Sequence, residues 1–508
     1  MVIISAVIFW GLFGYRYFVS SAGLELVPMV KRWLDDSYMP GDYLLNTVVS
    51  GYNHREFFIT IVGVTAKVLG SVELSFLVLF VVFGISTLWA ITKLVENWTD
   101  GLGSVLFCVV GVLMFWYLGI RELSPGLVTQ IHGELTPNMV ARAFLFWAIY
   151  FSIINKTKTA LALLPLGALF QPLDVLLTFP LVVLLVVFSA GSPLRNILKK
   201  RLLFILIFGC LLAGAILIGV FEAITSVWNE ELFLQFVEIR LPYHYLPSSW
   251  SVSKWIFLLA IATSGTYALL FLKKVGIAIV CIVVLALFIL YVIVLEGMPV
   301  MWLYKLQGAK LLWGNYVIWS IAIFIAVSKY FSQQKKSSGL MLTSICIGGG
   351  LIFVGAVYGL SQAGHPYYGE LNKKIEFNKR MLGKGNYRTA RDYANASDLE
   401  LAELLSYYSK PSDLILNPPE RNVVRSIAER ASVGLNTLAG FSPKAVAQYL
   451  ERRKTLEGYC GKTLVELTEI ATRYKAQYIA VQHNCNSDKE LSQWQQISEY
   501  WKIMKVHY

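Results

Sequence analysis

The sequence predicts a polytopic α-helical membrane protein with a soluble α/β domain at its C-terminal end. Three observations carry that expectation. The 508-residue chain is 56% hydrophobic and only 15% charged, against about 25% charged for an ordinary soluble domain, and its mean hydropathy is +0.58. Its apolar residues gather in eleven runs, most near the length of about 20 residues that a spanning helix needs. After about residue 360 such runs stop, and 365–508 is polar and charged. The expected domains are a transmembrane module over 1–360, with a long first outer loop at 20–73, and a soluble domain over 365–508.

The runs lie near 2–19, 74–94, 102–120, 138–154, 158–170, 173–190, 202–221, 255–272, 276–295, 314–330 and 340–359. Those at 138–154 and 158–170 are short, and Pro165 interrupts the second. Arg16 and a Tyr-rich flank follow the first run without a small-residue cleavage site, so it is expected to be retained. With the N-terminus inside, the short inner loops hold Lys93, Lys156, Lys158, Arg195, Lys199, Lys200, Arg201, Lys273, Lys274, Lys329, Lys335 and Lys336, against only Glu96 and Asp100. Lys/Arg density in short loops sets orientation, so the N-terminus is expected in the cytoplasm. Eleven spans then put the tail outside. Much of the formal charge of +12 is thereby a topology signal, and no nucleic-acid partner is expected.

Within the tail, 413–417 and 478–482 read as short buried strands and 503–507 as a further one. Helical spacing covers 396–409, 442–456 and 464–475. Strands alternating with helices predict a small α/β module with a parallel sheet. Cys108, Cys210, Cys281 and Cys346 lie in apolar runs, as small core residues do. Cys460 and Cys485 stand in the polar tail, and outside the cytoplasm they could form a disulfide worth about 3 kcal/mol. Two unpaired thiols are the alternative.

No phosphate-binding loop, dinucleotide fingerprint, HExxH or GxSxG motif is present. The unusual residues are polar ones in the outer loops. In the first loop, Asp35, Asp36 and Asp42 lie within eight residues beside aromatics. Adjacent carboxylates repel, which can raise the pKa of one and suit it to general-base or metal-ligand work; a capping Asp and a solvated turn at Pro40-Gly41 is the commoner fate. A second group comprises Arg121, Glu122, His132, Glu134 and Arg142, with Thr136 and Pro137 reading as a helix start. An Arg in an apolar helix pairs, snorkels or faces a polar cavity, and Asp174 after Gln171-Pro172 makes a similar polar break. A third runs from Glu238 through Arg240, Tyr243, His244 and Tyr245 to Trp250, broken by Pro242 and Pro247. Arg can grip phosphate in bidentate fashion, and aromatics pack on sugar rings or prenyl chains; an interfacial aromatic belt explains the same residues. Lys305 and Lys310, with Trp302 and Tyr304, repeat the pattern.

In this layout the chain resembles the GT-C superfamily of integral-membrane glycosyltransferases, and within it bacterial multi-pass members. Asp35-Asp36-Ser37 matches the DDx form of the family's acidic first-loop motif. The resemblance implies that Asp35 or Asp36 is the base deprotonating the acceptor, in some members with a divalent cation (Mg or Mn); no other cofactor is implied. Arg240-Leu-Pro-Tyr243-His244-Tyr245 is similar to an Arg-x-Pro-His-His-Tyr element of some bacterial relatives and departs from it at Tyr243. Leu416-Asn-Pro-Pro419 with Arg425 and Arg430 also looks like those relatives.

The expected function is transfer of a sugar from a polyprenyl-phosphate-linked donor to a glycan, lipid or protein acceptor at the outer face of a bacterial inner membrane, with inversion. Asp35, Asp36 and Asp42 are the candidate bases. Arg121, Arg240, His244, Lys305 and Lys310 are candidates for stabilising the departing phosphate, with His132, Glu134, Arg142, Tyr243 and Tyr245 about the substrate. The alternatives are an O-antigen ligase or polymerase, relying on Arg240 and His244 more than Asp35, and a non-catalytic assembly subunit. A transporter would show internal repeats, and none is seen.

Overall fold

The computed structural model describes residues 2–18, 21–43, 45–46, 55–116, 124–125, 133–188, 230–240, 245–297, 306–333, 387–434, 443–483, 485, 494 and 496–506, with isolated positions between 207 and 214. Helix α1 (Val2–Phe13) ends earlier than its apolar run. Gly14 takes φ 60°, a left-handed conformation that glycine adopts cheaply, and Tyr15–Tyr17 leaves the helix as strand β1. β1 pairs in parallel with β2 (Tyr387–Thr389), Tyr15 opposite Tyr387. The start of the first loop is thus tied to the entry of the tail.

Among its described residues, that first loop holds two helices, α2 (Ser21–Leu34) and α3 (Glu56–Leu69). Leu24, Leu26, Val27, Met29 and Val30 are buried along α2. Gly63 lets α3 approach closely, since a Cβ there would sit 2.4 Å from the Trp33 ring. Glu25, buried on α2, is met by Arg55.

The bundle follows: α4 (Val72–Glu96), α5 (Leu102–Phe115), α6 (Pro137–Ile153), α7 (Thr157–Ala168), α8 (Pro172–Phe188), α9 (Glu230–Arg240), α10 (Val252–Phe271), α11 (Val275–Gly297) and α12 (Trp313–Gln333). Its centre is α6, packed on α4, α7 and α8, while α12 packs on α5 and α10. At Gly265 of α10 a Cβ would meet Trp319 of α12 at 2.4 Å; small residues let membrane helices approach this way. Among the described residues, α4, α10, α11 and the stretch 308–332 are four helices long and apolar enough to cross a membrane. The eleven-span expectation is therefore met only in part. Helices α1, α6 and α7 fill predicted runs at 12, 17 and 12 residues, short of a full crossing. The runs at 202–221 (isolated positions aside) and 340–359 lie outside the described residues. Many residues of α10 and α11, such as Ile256, Leu259, Leu290 and Ile293, are apolar and exposed, as lipid-facing surfaces are.

In the tail, β3 (Leu414–Leu416), β4 (Ala431–Ser432), β5 (Tyr478–Gln482), β6 (Gln496–Ile497) and β7 (Trp501–Lys505) form one sheet in the order β4-β3-β5-β7-β6. The helices α13 (Ala396–Tyr408), α14 (Pro443–Thr455) and α15 (Leu464–Tyr474) stand where the spacing predicts them. The sheet is mixed rather than purely parallel. β4, β3 and β5 run parallel, whereas β7 runs antiparallel to β5 and β6. A three-residue turn joins β6 to β7, and so short a connection permits only an antiparallel pair. Tyr459, fully enclosed, donates its hydroxyl proton toward the Leu416 and Ala480 carbonyls and ties β3 to β5. Cys460 is joined to Cys485 by a disulfide, with Cα atoms 4.7 Å apart. Phe233, Phe236, Val237, Tyr245 and Leu295 pack with Val446 and Tyr449 of α14, so the tail sits on the bundle end that carries α9 and the first loop.

Candidate functional site

Two polar groups stand at that end of the bundle. The first is built around α6. Thr136 caps this helix by accepting the Met139 N–H, and Pro137 occupies its first turn. One and a half turns in, Arg142 points inward and is 5% exposed, so it must find a partner. The partner is Asp174, in the first turn of α8 and 4% exposed. Arg142 Nε donates to its Oδ2 at 3.1 Å, and Asn138 donates to the same oxygen at 3.2 Å. Lys310 brings Nζ to 2.8 Å from Oδ1. The Arg142 guanidinium also lies 5.6 Å from the centre of the Trp313 ring. Among the described residues, the Asp174 carboxylate is thus met by two cations, Arg142 and Lys310.

Lys310 is placed by a turn of 3-10 helix, Gly308–Leu312, entered through Gln307 at φ 49°. At Gly308 a Cβ would lie 2.2 Å from the Tyr291 ring, so only glycine admits this turn against α11. Gln307 donates to the Tyr245 hydroxyl at 2.8 Å. Burial pushes the Tyr245 phenol up to about 12, against the opposing Gln307 bond. Lys310, Gln307 and Tyr245 thus connect the charged group to the aromatic patch under the tail.

The second group is the first loop. Asp35 and Asp36 are exposed at the end of α2. Asp35 departs from the raised pKa that adjacent carboxylates suggest. The Ser37 hydroxyl and then the Ser37 N–H, donating to Oδ1 at 2.6 and 2.9 Å, hold its carboxyl below the ordinary value. Asp42 is separated from this pair. It is fully buried, accepts the Leu45 N–H at 3.0 Å, and lies 3.0 Å from Arg425 Nη1 of the tail. Lys31 reaches Glu429 of the tail, and Arg452 stacks 4.0 Å from the Tyr43 ring centre and 4.6 Å from that of Tyr474.

Arg142, Lys310 and Tyr245 are thus drawn together from among the sequence candidates, and Asp35 and Asp36 share one exposed turn. Glu134 is buried on the segment entering α6, which runs beside β1 through the Arg16 N–H bond to the Gly133 carbonyl. Arg121, His132, Tyr243, His244 and Lys305 lie outside the described residues, as does the side chain of Arg240, whose backbone closes α9. Asp174 was legible only as a polar break; Asn138 and Trp313 gave no signal beyond polarity and size. The clue to Asp174 was Arg142 itself, a charge in an apolar helix with no acid on its own helix.

The fold is similar to that of the archaeal oligosaccharyltransferase AglB from Archaeoglobus fulgidus. That structure was determined in complex with an inhibitory peptide and a dolichol-phosphate. The TM-score is 0.46 at 10% sequence identity, covering 95% of this chain and 69% of that one. No family model and no curated protein matches the sequence.

The sequence resemblance implies a divalent cation in some members. Among the described residues no three His, Cys, Asp or Glu side chains come together as ligands. Asp42, the third first-loop acid, is turned away and bound to Arg425.

Proposed function

We propose that this protein is an integral-membrane glycosyltransferase that moves a sugar from a polyprenyl-phosphate carrier to an acceptor at the face bearing the tail. The carrying observation is the Arg142–Asp174–Lys310 group, in which two cations share one buried carboxylate. Two cations converging at one buried position suit an anion that brings its own lipid solubility, and a prenyl phosphate meets that description. Buried charge is seldom kept in a membrane helix without such a task. AglB, solved with a dolichol-phosphate, has a lipid phosphate as its companion in that structure.

In this reading the acceptor hydroxyl attacks the anomeric carbon while the bond from that carbon to the phosphate oxygen breaks. Lys310 and Arg142 stabilise the charge growing on the leaving phosphate, the step where preorganised cations act most strongly. Asp35 or Asp36 takes the acceptor proton. A single displacement inverts the anomeric centre. The ion pair of buried Asp42 with Arg425 favours the two exposed acids over it as base. The basic residues Lys93, Lys156, Lys273 and Lys274 at the opposite helix ends support a cytoplasmic N-terminus. The Cys460–Cys485 disulfide supports a tail outside the cytoplasm, as in a bacterial inner membrane.

The test is Asp35→Asn and Asp36→Asn, made separately in purified protein with a defined polyprenyl-phosphate sugar. One of the two is expected to lose at least a hundredfold in kcat, within the range that general-base catalysis supplies. Full activity in both sinks the base assignment.

A further inference from the structure

The buried acid of the first loop and the buried arginine of the tail point to a task for the soluble domain. Residues 35–46 are folded on themselves. Tyr38 N–H donates to the Asp35 carbonyl at 3.0 Å, Asp42 N–H to that of Met39 at 3.0 Å, and Asn46 N–H to that of Asp42 at 3.0 Å. Arg32 binds the Tyr38 carbonyl and the Asn46 side chain, and Asn46 in turn donates to the Pro40 carbonyl. The turn is therefore one unit, and moving Asp42 moves the turn that carries Asp35 and Asp36. One side of the unit, with Met39, Asp42 and Tyr43, is buried; the other, with Asp35, Asp36 and Ser37, is exposed.

Several contacts on the buried side come from the tail. Arg425 meets Asp42 with both side chains at 0% exposure. Glu429, four residues on, meets Lys31, and Arg452 covers Tyr43. Gly41 lies against Leu414, where a Cβ would be 3.5 Å from that side chain. Arg425 sits in the one-turn helix Val423–Ser426 that follows β3, so the sheet of the tail sets its position. None of its three guanidinium nitrogens makes a hydrogen bond among the described residues, nor does Asp42 Oδ2, so the 3.0 Å contact is an ion pair alone. A buried ion pair so sparsely supported contributes little net stability compared with an apolar pair of like volume. Its value lies in register, since each buried charge must be set against the other where apolar surfaces can slide.

We propose that Arg425 is a positioning residue: through Asp42 it fixes the turn that presents Asp35 and Asp36, so that the catalytic centre is incomplete without the tail domain. This rests on the glycosyltransferase reading for its consequence, though not for the tether itself.

The experiment uses the full-length protein in lipid nanodiscs. Arg425→Met, Arg425→Lys and the double variant Arg425→Met/Asp42→Asn are compared in three readouts: kcat and KM with a defined polyprenyl-phosphate sugar, thermal midpoint, and hydrogen exchange over residues 35–46. Arg425→Met is expected to lower kcat at least tenfold with donor KM within twofold, and to raise exchange over 35–46. Arg425→Lys is expected to recover part of kcat. The double variant buries no unpaired charge, so it is expected to regain the thermal midpoint while kcat stays low and the turn still exchanges. Recovery of midpoint, protection and kcat together in the double variant would show a purely structural pair and overturn the proposal. Unchanged protection of 35–46 in Arg425→Met overturns the tether directly. Wild-type protein that transfers no sugar, yet shows a turn released by Arg425→Met, refutes the glycosyltransferase reading and leaves the tether standing.

Discussion

Asp174→Asn removes the one negative charge from the Arg142–Asp174–Lys310 group while keeping the shape of the side chain. At 2.8 and 3.1 Å each contact carries roughly 5 kcal/mol of gross Coulomb attraction at an effective dielectric of about 20. Desolvation cancels most of that in the intact group. The measurable cost is the penalty of leaving buried charge unpaired, about 3–5 kcal/mol. Lys310→Met is different in kind. It leaves Arg142 and Asp174 as a one-to-one pair, and Lys310 has 16% of its side chain exposed, so about 1 kcal/mol is expected. Stability should therefore fall in the order wild type, Lys310→Met, Asp174→Asn. Donor binding should not follow that order. Lys310→Met loses a charge-assisted bond to phosphate worth about 1.5–3 kcal/mol, or roughly ten- to hundredfold in affinity. Thermal unfolding and donor titration of the full-length protein in nanodiscs measure both. If Asp174→Asn is as stable as Lys310→Met, the two cations are not held by this carboxylate. If Lys310→Met binds donor as wild type does, the group is not the phosphate site.

Two further outcomes follow from local chemistry. Ser37→Ala removes the main bond holding the Asp35 carboxyl below its ordinary value, so that pKa rises. A depressed carboxylate contributes stability above its unfolded pKa and loses it as pH falls through the folded one. The acid limb of the rate profile should accordingly move to higher pH in Ser37→Ala if Asp35 is the base, and stay put if Asp36 is. Cys460→Ser opens a cross-link spanning 25 residues, which chain entropy values at about 3 kcal/mol. The tail should then unfold earlier, measured by the denaturant midpoint of the full-length protein, and wild type under reductant should match the variant.

Much of the tail was readable because its signals are local. Tyr478–Gln482 is a continuous apolar run, which marks a strand buried on both faces, and Thr463 with Glu466 forms the capping box that starts α15. The helices within the first loop were less legible for an equally physical reason. α2 carries Glu25, Pro28, Lys31 and Arg32 among its apolar residues, so it lacks the unbroken hydrophobicity that marks a span, and its partner Arg55 lies thirty residues away. The mixed sheet was missed because strand direction depends on the length of a connection rather than on the composition of the strand.

The sequence by itself determined that this chain is apolar enough for a membrane, that its last part is polar, and which few charges sit among apolar residues. Those are properties of transfer free energy, summed along the chain, and need no contact to be known. Tertiary structure decided what the charges do. Arg142 and Lys310 are 168 positions apart and meet on Asp174, whereas Asp36 and Asp42 are six apart, one exposed and the other buried against Arg425. A charge has no role until its partner is known. For a buried charge the partner is chosen by packing across the whole fold, because low polarity makes any other arrangement too costly.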